Sequence, residues 1–115
     1  MKWFCLILLL VSPVCADERS ECERLAPKYN AETEVVLWDY TRVDLLNDEY
    51  AIEVDWAQKW AEAIGQSTYY GIITKKKPAI ILLVTDKKRD AKYVYRALVV
   101  CTKLNIQLYL ELSDG

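Results

Sequence analysis

The stretch "RVDLLNDEYAIEVDWAQKW", residues 42–60, holds two short apolar runs with an acid set into each: Asp44 in "VDLL" and Glu53 in "AIEVDW". Side chains on a strand alternate faces. In the first run Val43 and Leu45 oppose Arg42, Asp44 and Leu46; in the second Ile52 and Val54 oppose Ala51, Glu53 and Asp55. Each run is therefore a strand with one aliphatic and one acidic face. Burying both aliphatic faces in one layer fixes the register of a hairpin. Asp44 then falls opposite Glu53, and Arg42 opposite Asp55. That register requires an even loop, either Asp48–Glu49 or Asn47–Tyr50. Opposed carboxylates repel one another, and a buried carboxylate is costly without a partner. A divalent cation resolves the conflict, since magnesium takes carboxylate oxygens while keeping several waters. Arg42 or Lys59 resolves it without a metal.

After Asp55 the period changes. "WAQKWAEAIGQSTYYGII" (residues 56–73) repeats apolar residues at three and four, which predicts an amphipathic helix. Lys59, Ala63, Gln66 and Tyr70 form one stripe of it. A helix starting at the end of the third strand keeps its first turns near Glu53. Two readings of Lys59 and Gln66 follow. In one, a lysine and a glutamine aimed at paired acids process a phosphate. In the other, Lys59 is a structural ion-pair partner of Glu53 or Asp55 and Gln66 is merely solvated.

Working outward, residues 32–38 read as a strand and "DYT" as a turn. "AIILLV" (residues 79–84) is wholly apolar, the mark of a strand buried on both faces. A helix is expected over about 90–104, and a last strand over 106–112 with Ile106, Leu108, Leu110 and Leu112 on one face. "DERSECERLA" is helical in composition and ends near Pro27 and Asn30. The order is α-β-β-β-α-β-α-β: an antiparallel meander, then strands linked through helices as parallel crossovers. An α/β fold with a mixed sheet between helices is expected.

The chain has 115 residues, 53% apolar and 28% charged, with a net charge of −2 and no histidine. That is room for one packed domain. Without histidine, Ser-His and Cys-His nucleophile pairs and most zinc sites are excluded. Residues 1–16, "MKWFCLILLLVSPVCA", carry a Lys near the start, an apolar run, and Val14 and Ala16 at the −3 and −1 positions. This is the pattern of a cleavable secretory signal, leaving residues 17–115 as the mature domain, secreted or periplasmic and without stable membrane association. The alternatives are an uncleaved anchor or a misassigned start, the latter with a cytoplasmic protein. Cleavage leaves Cys22 and Cys101. They form either a disulfide, worth up to about 4 kcal/mol for so long a loop, or two separate buried thiols.

The order of elements, an acid in the second strand, an acid in the third, and a helix bearing Gln-x-x-x-Tyr resemble the PD-(D/E)xK nuclease superfamily, with its restriction-endonuclease-like αβββαβαβ core. The resemblance spans about residues 32–112, and "TRVDLL" through "YAIEVDWAQKWAEAIGQSTYY" looks like its small bacterial and phage members. It implies a metal-dependent nuclease, hydrolysing nucleic-acid phosphodiesters with Mg²⁺ or Mn²⁺. Asp44 and Glu53 match its metal-binding acids, Glu34 its additional acid and Gln66 the glutamine of its helix. For Glu34 to share the face of Asp44, the "DYT" turn must be odd in length. The family's lysine position, two after Glu53, holds Asp55 instead, and Lys59 suits a lysine displaced to the neighbouring helix.

The basic runs Lys75-Lys76-Lys77 and Lys87-Lys88-Arg89 are read as loops, either gripping phosphates or simply solvated. Trp56 and Trp60 read as core, leaving Trp38 at a turn edge as the tryptophan to test for base stacking. Nucleic acid is the expected substrate, and a homodimer is plausible because one small domain offers little surface to hold a duplex. The alternatives are a catalytically inactive module of the same fold that binds DNA or a protein, and a secreted structural or immunity-type protein with its acids paired to Arg42 and Lys59.

Overall fold

The structure, a computed structural model, describes residues 17–114. The secretory signal read in residues 1–16 lies outside them. Among the described residues no helix is long and apolar enough to cross a membrane. A first helix, α1 (residues 17–25), leads into β1 (Glu32–Val36), β2 (Arg42–Leu46) and β3 (Tyr50–Trp56). A short 3-10 turn, Ala57–Lys59, opens α2 (Trp60–Thr74), followed by β4 (Lys77–Val84), α3 (Lys87–Leu104) and β5 (Gln107–Leu112).

The five strands form one mixed sheet in chain order. β1, β2 and β3 are antiparallel neighbours, and β4 and β5 follow β3 in parallel. An α/β fold with helices on both faces is what the alternation of periods predicts. Ala79, Ile81 and Leu83 of β4 pack with Ile52, Val54 and Leu45 under Cys22, Leu25 and Ala26 at the α1 end of the chain. Ile80 and Leu82, one residue out of phase, pack on the other face with Ala63 of α2 and Ala97 and Cys101 of α3. β4 is thus buried on both sides, as its unbroken apolar run requires.

Both hairpins have the expected parity. Leu45 pairs with Ile52 and Leu46 with Ala51, so Asp44 and Glu53 fall opposite one another. The turn is Asp48–Glu49, closed by the Asn47 N–H donating to the Tyr50 carbonyl at 3.1 Å. Asn47 Oδ1 accepts from the N–H groups of Glu49 (2.9 Å) and Tyr50 (2.7 Å), an Asx turn that sets this loop length. Between β1 and β2 the Leu37 N–H donates to the Thr41 carbonyl at 2.8 Å, leaving a loop of Trp38, Asp39 and Tyr40. That odd length puts Glu34 opposite Asp44, between the pairs Thr33–Leu45 and Val35–Val43.

Several boundaries differ from expectation. β1 stops at Val36 rather than at residue 38, because the chain turns at Leu37. Lys87, Lys88 and Arg89 are the first turn of α3 rather than a loop: Asp86 caps the helix, accepting from the Arg89 N–H at 3.0 Å. In the other basic run Lys75 is a left-handed helix cap and Lys77 opens β4. The buried stripe of α2 is Ala63, Ser67 and Gly71, which turns Gln66 to the exposed side. On β5 Ile106 and Leu108 are covered but Leu110 and Leu112 are exposed, lining an open groove with Ala91, Val94 and Leu98 of α3. Cys22 and Cys101 are both free, and the sheet lies between the two apolar layers that hold them. The separate-thiol alternative therefore describes this fold, and no disulfide joins the first helix to the last. Burial raises the Cys101 thiol to about 11.

The two glycines of α2 give a paired test. A Cβ at Gly71 would stand 3.1 Å from the Pro78 Cβ and 3.2 Å from the Lys76 carbonyl oxygen, whereas one at Gly65 meets nothing within 4 Å. Gly71→Ala should destabilise by about 1–3 kcal/mol through overpacking. Gly65→Ala should stabilise by about 0.5–1 kcal/mol through helix propensity. Urea unfolding of both variants should give shifts of opposite sign; equal shifts would contradict this packing.

Candidate functional site

The β2–β3 ladder is regular only at its closed end. Beyond Leu45 and Ile52 no further pair forms, and the Asp44 carboxylate reaches across the fork to accept from the Val54 N–H at 2.9 Å. On its other side the β1–β2 ladder skips Glu34, whose φ is 49°. Asp44 thus sits where the backbone has given up its pairing on both sides, and its side chain takes the place of a carbonyl.

Glu53, only 7% exposed, meets Asp44 in this fork. Asp44, half-buried, lies opposite it across the fork. Burial is the largest influence on both and raises both. The Asp44 charge then raises Glu53 further, and the Val54 N–H bond partly offsets the rise at Asp44. Two facing carboxyls in so covered a place resist ionising together.

Asp55, 4% exposed, lies on the same side of β3. Burial lifts it to about 7, against the Trp56 N–H bond; the Glu18 charge adds to the rise and the Lys59 charge opposes it. Lys59 is half-buried at the start of α2 and acts on Asp55 through its field, forming no direct ion pair among the described residues.

The third acid of the expected set is committed elsewhere. The Glu34 carboxylate is held between Arg19 of α1 and Arg42 of β2, each at 2.9 Å. Arg42 thereby neutralises Glu34 rather than Asp44 or Asp55. Gln66 stands exposed on α2, outside the fork. Lys76 donates to the Asp48 carbonyl and Lys77 pairs with Glu49, so this run clamps the β2–β3 turn at the far end of the strands. Arg89 is bound to Asp90 and Thr85. Neither basic run lines the cavity described next.

That cavity, about 360 Å³, opens beside the fork and is lined by Glu18, Arg19, Cys22, Glu34, Tyr40, Arg42 and Asp44. Two of its neighbours were missed in the sequence. Glu18 raises Asp44, Glu53 and Asp55 alike, placing the start of α1 over the acids. Nothing in a polar helix of alternating charge marks one glutamate out. Tyr70 is raised by burial and then by the charges of Glu53 and Asp44. Its place on the stripe with Lys59 was the available signal.

Among the described residues no three Cys, Asp or Glu side chains gather in a geometry ready to hold a metal. The acids that could take one are Asp44 and Glu53, which face one another across the fork, where an oxygen-seeking dication would relieve their repulsion. Magnesium needs only one or two protein carboxylates, with waters and substrate oxygens completing its shell. Comparison with known proteins gives no match: no family model, no curated protein and no solved structure matches this chain.

Proposed function

We propose that the chain is a metal-dependent phosphodiesterase of the PD-(D/E)xK nuclease type, with a restriction-endonuclease-like core, acting on nucleic acid after export. The observation that carries this reading is the facing of Asp44 and the buried Glu53 at the open fork of an antiparallel meander. Asp44 and Glu53 would hold Mg²⁺ or Mn²⁺; when bound, the ion supplies Lewis-acid stabilisation of a phosphate oxygen and lowers the pKa of a bound water. The Val54 N–H orients Asp44 for that task. Lys59 supplies positive charge on the α2 side, taking the lysine role of the motif. Arg19 and Arg42, both engaged by Glu34 and with Glu18 and Asp44 beside them, are the cations that would meet a flanking phosphate. The exposed position of Gln66 favours a solvated residue over a part in the site.

A second reading is favoured by Asp55. The position that carries the motif's lysine holds a buried acid, which fits a module that keeps the fold and binds nucleic acid without cutting it. Mn²⁺ titration by calorimetry, with plasmid and oligonucleotide cleavage assayed beside it, separates the two. The enzyme should bind the ion in the wild type, lose that binding in Asp44→Ala and Glu53→Ala, and lose cleavage with it. Cleavage that persists in both variants would be contamination and would end the proposal; metal-independent binding without cleavage would leave the module.

A further inference from the structure

We propose that the free edge of β5 pairs with the β5 edge of a second copy of this chain, about a two-fold axis, so that one sheet runs through both copies. The proposal stands apart from the nuclease-type reading and uses none of its residues.

The first observation is a backbone edge left open. β5 is the last strand of the sheet and is paired on one side only, with β4. The Ser113 N–H donates to the Val84 carbonyl at 3.0 Å, and the backbone groups of a strand point alternately to its two sides. The amides of Tyr109 and Glu111 therefore point to β4, and those of Leu108, Leu110 and Leu112 point away from it. Among the described residues these outward groups meet only Arg24, which donates to the Leu112 carbonyl at 3.4 Å. Such an edge is a template for another strand. The opposite edge is guarded: β1 carries Glu32 and Glu34, and Glu34 at φ 49° breaks its extended run. β5 has no proline and no left-handed residue, and its one acid, Glu111, is held by Lys28 and Tyr29.

The second is an apolar face beside that edge. Leu110 and Leu112, 51% and 61% exposed, line the open groove of about 580 Å³ with Tyr95 and Leu98 of α3, 68% and 51% exposed. An apolar patch continuous with an open strand edge marks an interaction site. These side chains and the edge beside them approach the roughly 800 Å² that each partner of a stable complex buries.

What selects a second copy is that this edge complements itself. Residues directly opposite in an antiparallel pair lie on one face of the sheet. Leu108, Leu110 and Leu112 share the α3 face, so a two-fold axis near Leu110 sets leucine against leucine and outward amide against outward carbonyl. The same rotation lays α3 beside its mate, antiparallel, and Tyr95 and Leu98 of each copy close the groove of the other. One contact covers both the strand edge and the apolar face, and it closes as a dimer. The basic line of α3 points elsewhere. At 3.6 residues per turn Lys88, Lys92, Arg96 and Lys103 lie opposite the buried Asp90, Ala97 and Cys101, on the side away from the sheet. They leave a repulsion between the two helices that salt screens.

Sedimentation equilibrium of the purified protein should show a monomer–dimer equilibrium with a Kd of about 1–10 μM. It should tighten with added salt, the reverse of what an acidic partner on the same helix would show. Amide exchange followed by NMR should protect Leu108, Leu110 and Leu112 only at concentrations where the dimer forms, with Tyr109 and Glu111 protected throughout. Leu110→Lys and Leu98→Lys should each weaken association about tenfold or more. Both side chains are half exposed in the single copy, so the melting temperature of dilute protein should hardly move. Val36→Lys, on the β1 edge, should leave the dimer intact. A protein still monomeric at about 1 mM, a dimer that survives both lysine variants of the groove, or a dimer without protection of the three outward amides overturns the proposal. So does protection already complete in the monomer, which would give the edge to another segment of the chain. Protection that appears only with vesicles of phosphatidylglycerol and phosphatidylcholine would give the face to a membrane and overturn it equally.

Discussion

Raising the pH from about 4.5 to 7.5 should weaken the folded state by roughly 2–4 kcal/mol, the reverse of ordinary acid denaturation. Asp44, Glu53 and Asp55 are all held above their ordinary values, chiefly by burial, and Asp55 reaches about 7. Such a carboxyl holds its proton more tightly folded than unfolded. Below its unfolded pKa it is neutral in both states and costs nothing. As pH climbs from there through the folded value, the unfolded chain releases protons that the folded chain keeps, and stability drains away. A rise of this size at Asp55 alone corresponds to a few kcal/mol, discounted here because water reaches part of the carboxyl. Glu21, Asp90 and Glu111 behave oppositely. Their bonds to Arg24, to Arg89 and backbone N–H groups, and to Lys28 and Tyr29 hold them below the usual range despite burial, so their contribution fails only on the acid side. Urea unfolding across pH should therefore peak near pH 4–5. Under the nuclease-type proposal, millimolar Mg²⁺ or Mn²⁺ at pH 7.5 should restore about 1–3 kcal/mol by binding only the folded fork. Glu53→Gln, which removes one of the two facing charges, should lessen the pH slope, leaving the part due to Asp55, and abolish the metal response. Stability that climbs steadily to pH 7.5 in the wild type would show that these acids are ionised and well solvated.

How much of this was legible beforehand depended on whether a feature is set by local pattern or by long-range fit. The alternation in residues 42–46 and 50–56 has only one register that buries Val43, Leu45, Ile52 and Val54 together, and the structure adopts it. The unbroken apolar run of β4 likewise admits only a two-sided burial. What pattern cannot carry is the break at the fork. Asp44 substitutes its side chain for a backbone acceptor only because β3 diverges from β2, and no spacing encodes that divergence. The same holds for Glu34, whose exchange of a metal-ligand role for two arginines depends on where α1 docks. Which of the two readings of Gln66 the fold favours was open for a simpler reason. A stripe at three-four spacing fits two neighbouring lines on a helix, and the sheet selects the one with the small residues Ala63, Ser67 and Gly71, which allow close approach.

The largest single-residue loss of stability is expected at Asp90, next to the basic run that the sequence leaves open between phosphate contact and a solvated loop. Asp90 is 1% exposed. Its Oδ2 accepts from the N–H groups of Thr85 (3.1 Å) and Asp86 (3.3 Å), and its Oδ1 from Arg89 Nε (3.0 Å). The chain leaves β4 and enters α3 across these residues, so the carboxylate satisfies the amides that the strand has finished with and the helix has not yet engaged. It also places a negative charge in the first turn of the longest helix described, where the macrodipole favours it. Asp90→Ala strands two N–H groups with poor access to water and leaves Arg89 without its acceptor. A cost of about 3–4 kcal/mol follows, a large share of the total for a domain of this size. Asp90→Asn keeps an oxygen for the amides but turns an NH₂ toward Arg89, and should cost about half as much. Arg89→Ala removes a side chain that is 56% exposed and should cost the least of the three. Urea midpoints should fall in that order. Because Arg89 is spent on this joint and the cavity is lined elsewhere, Arg89→Ala should leave oligonucleotide affinity unchanged; a tenfold loss would return the basic turn to the binding surface and displace the arginines of the β1–β2 side from that role.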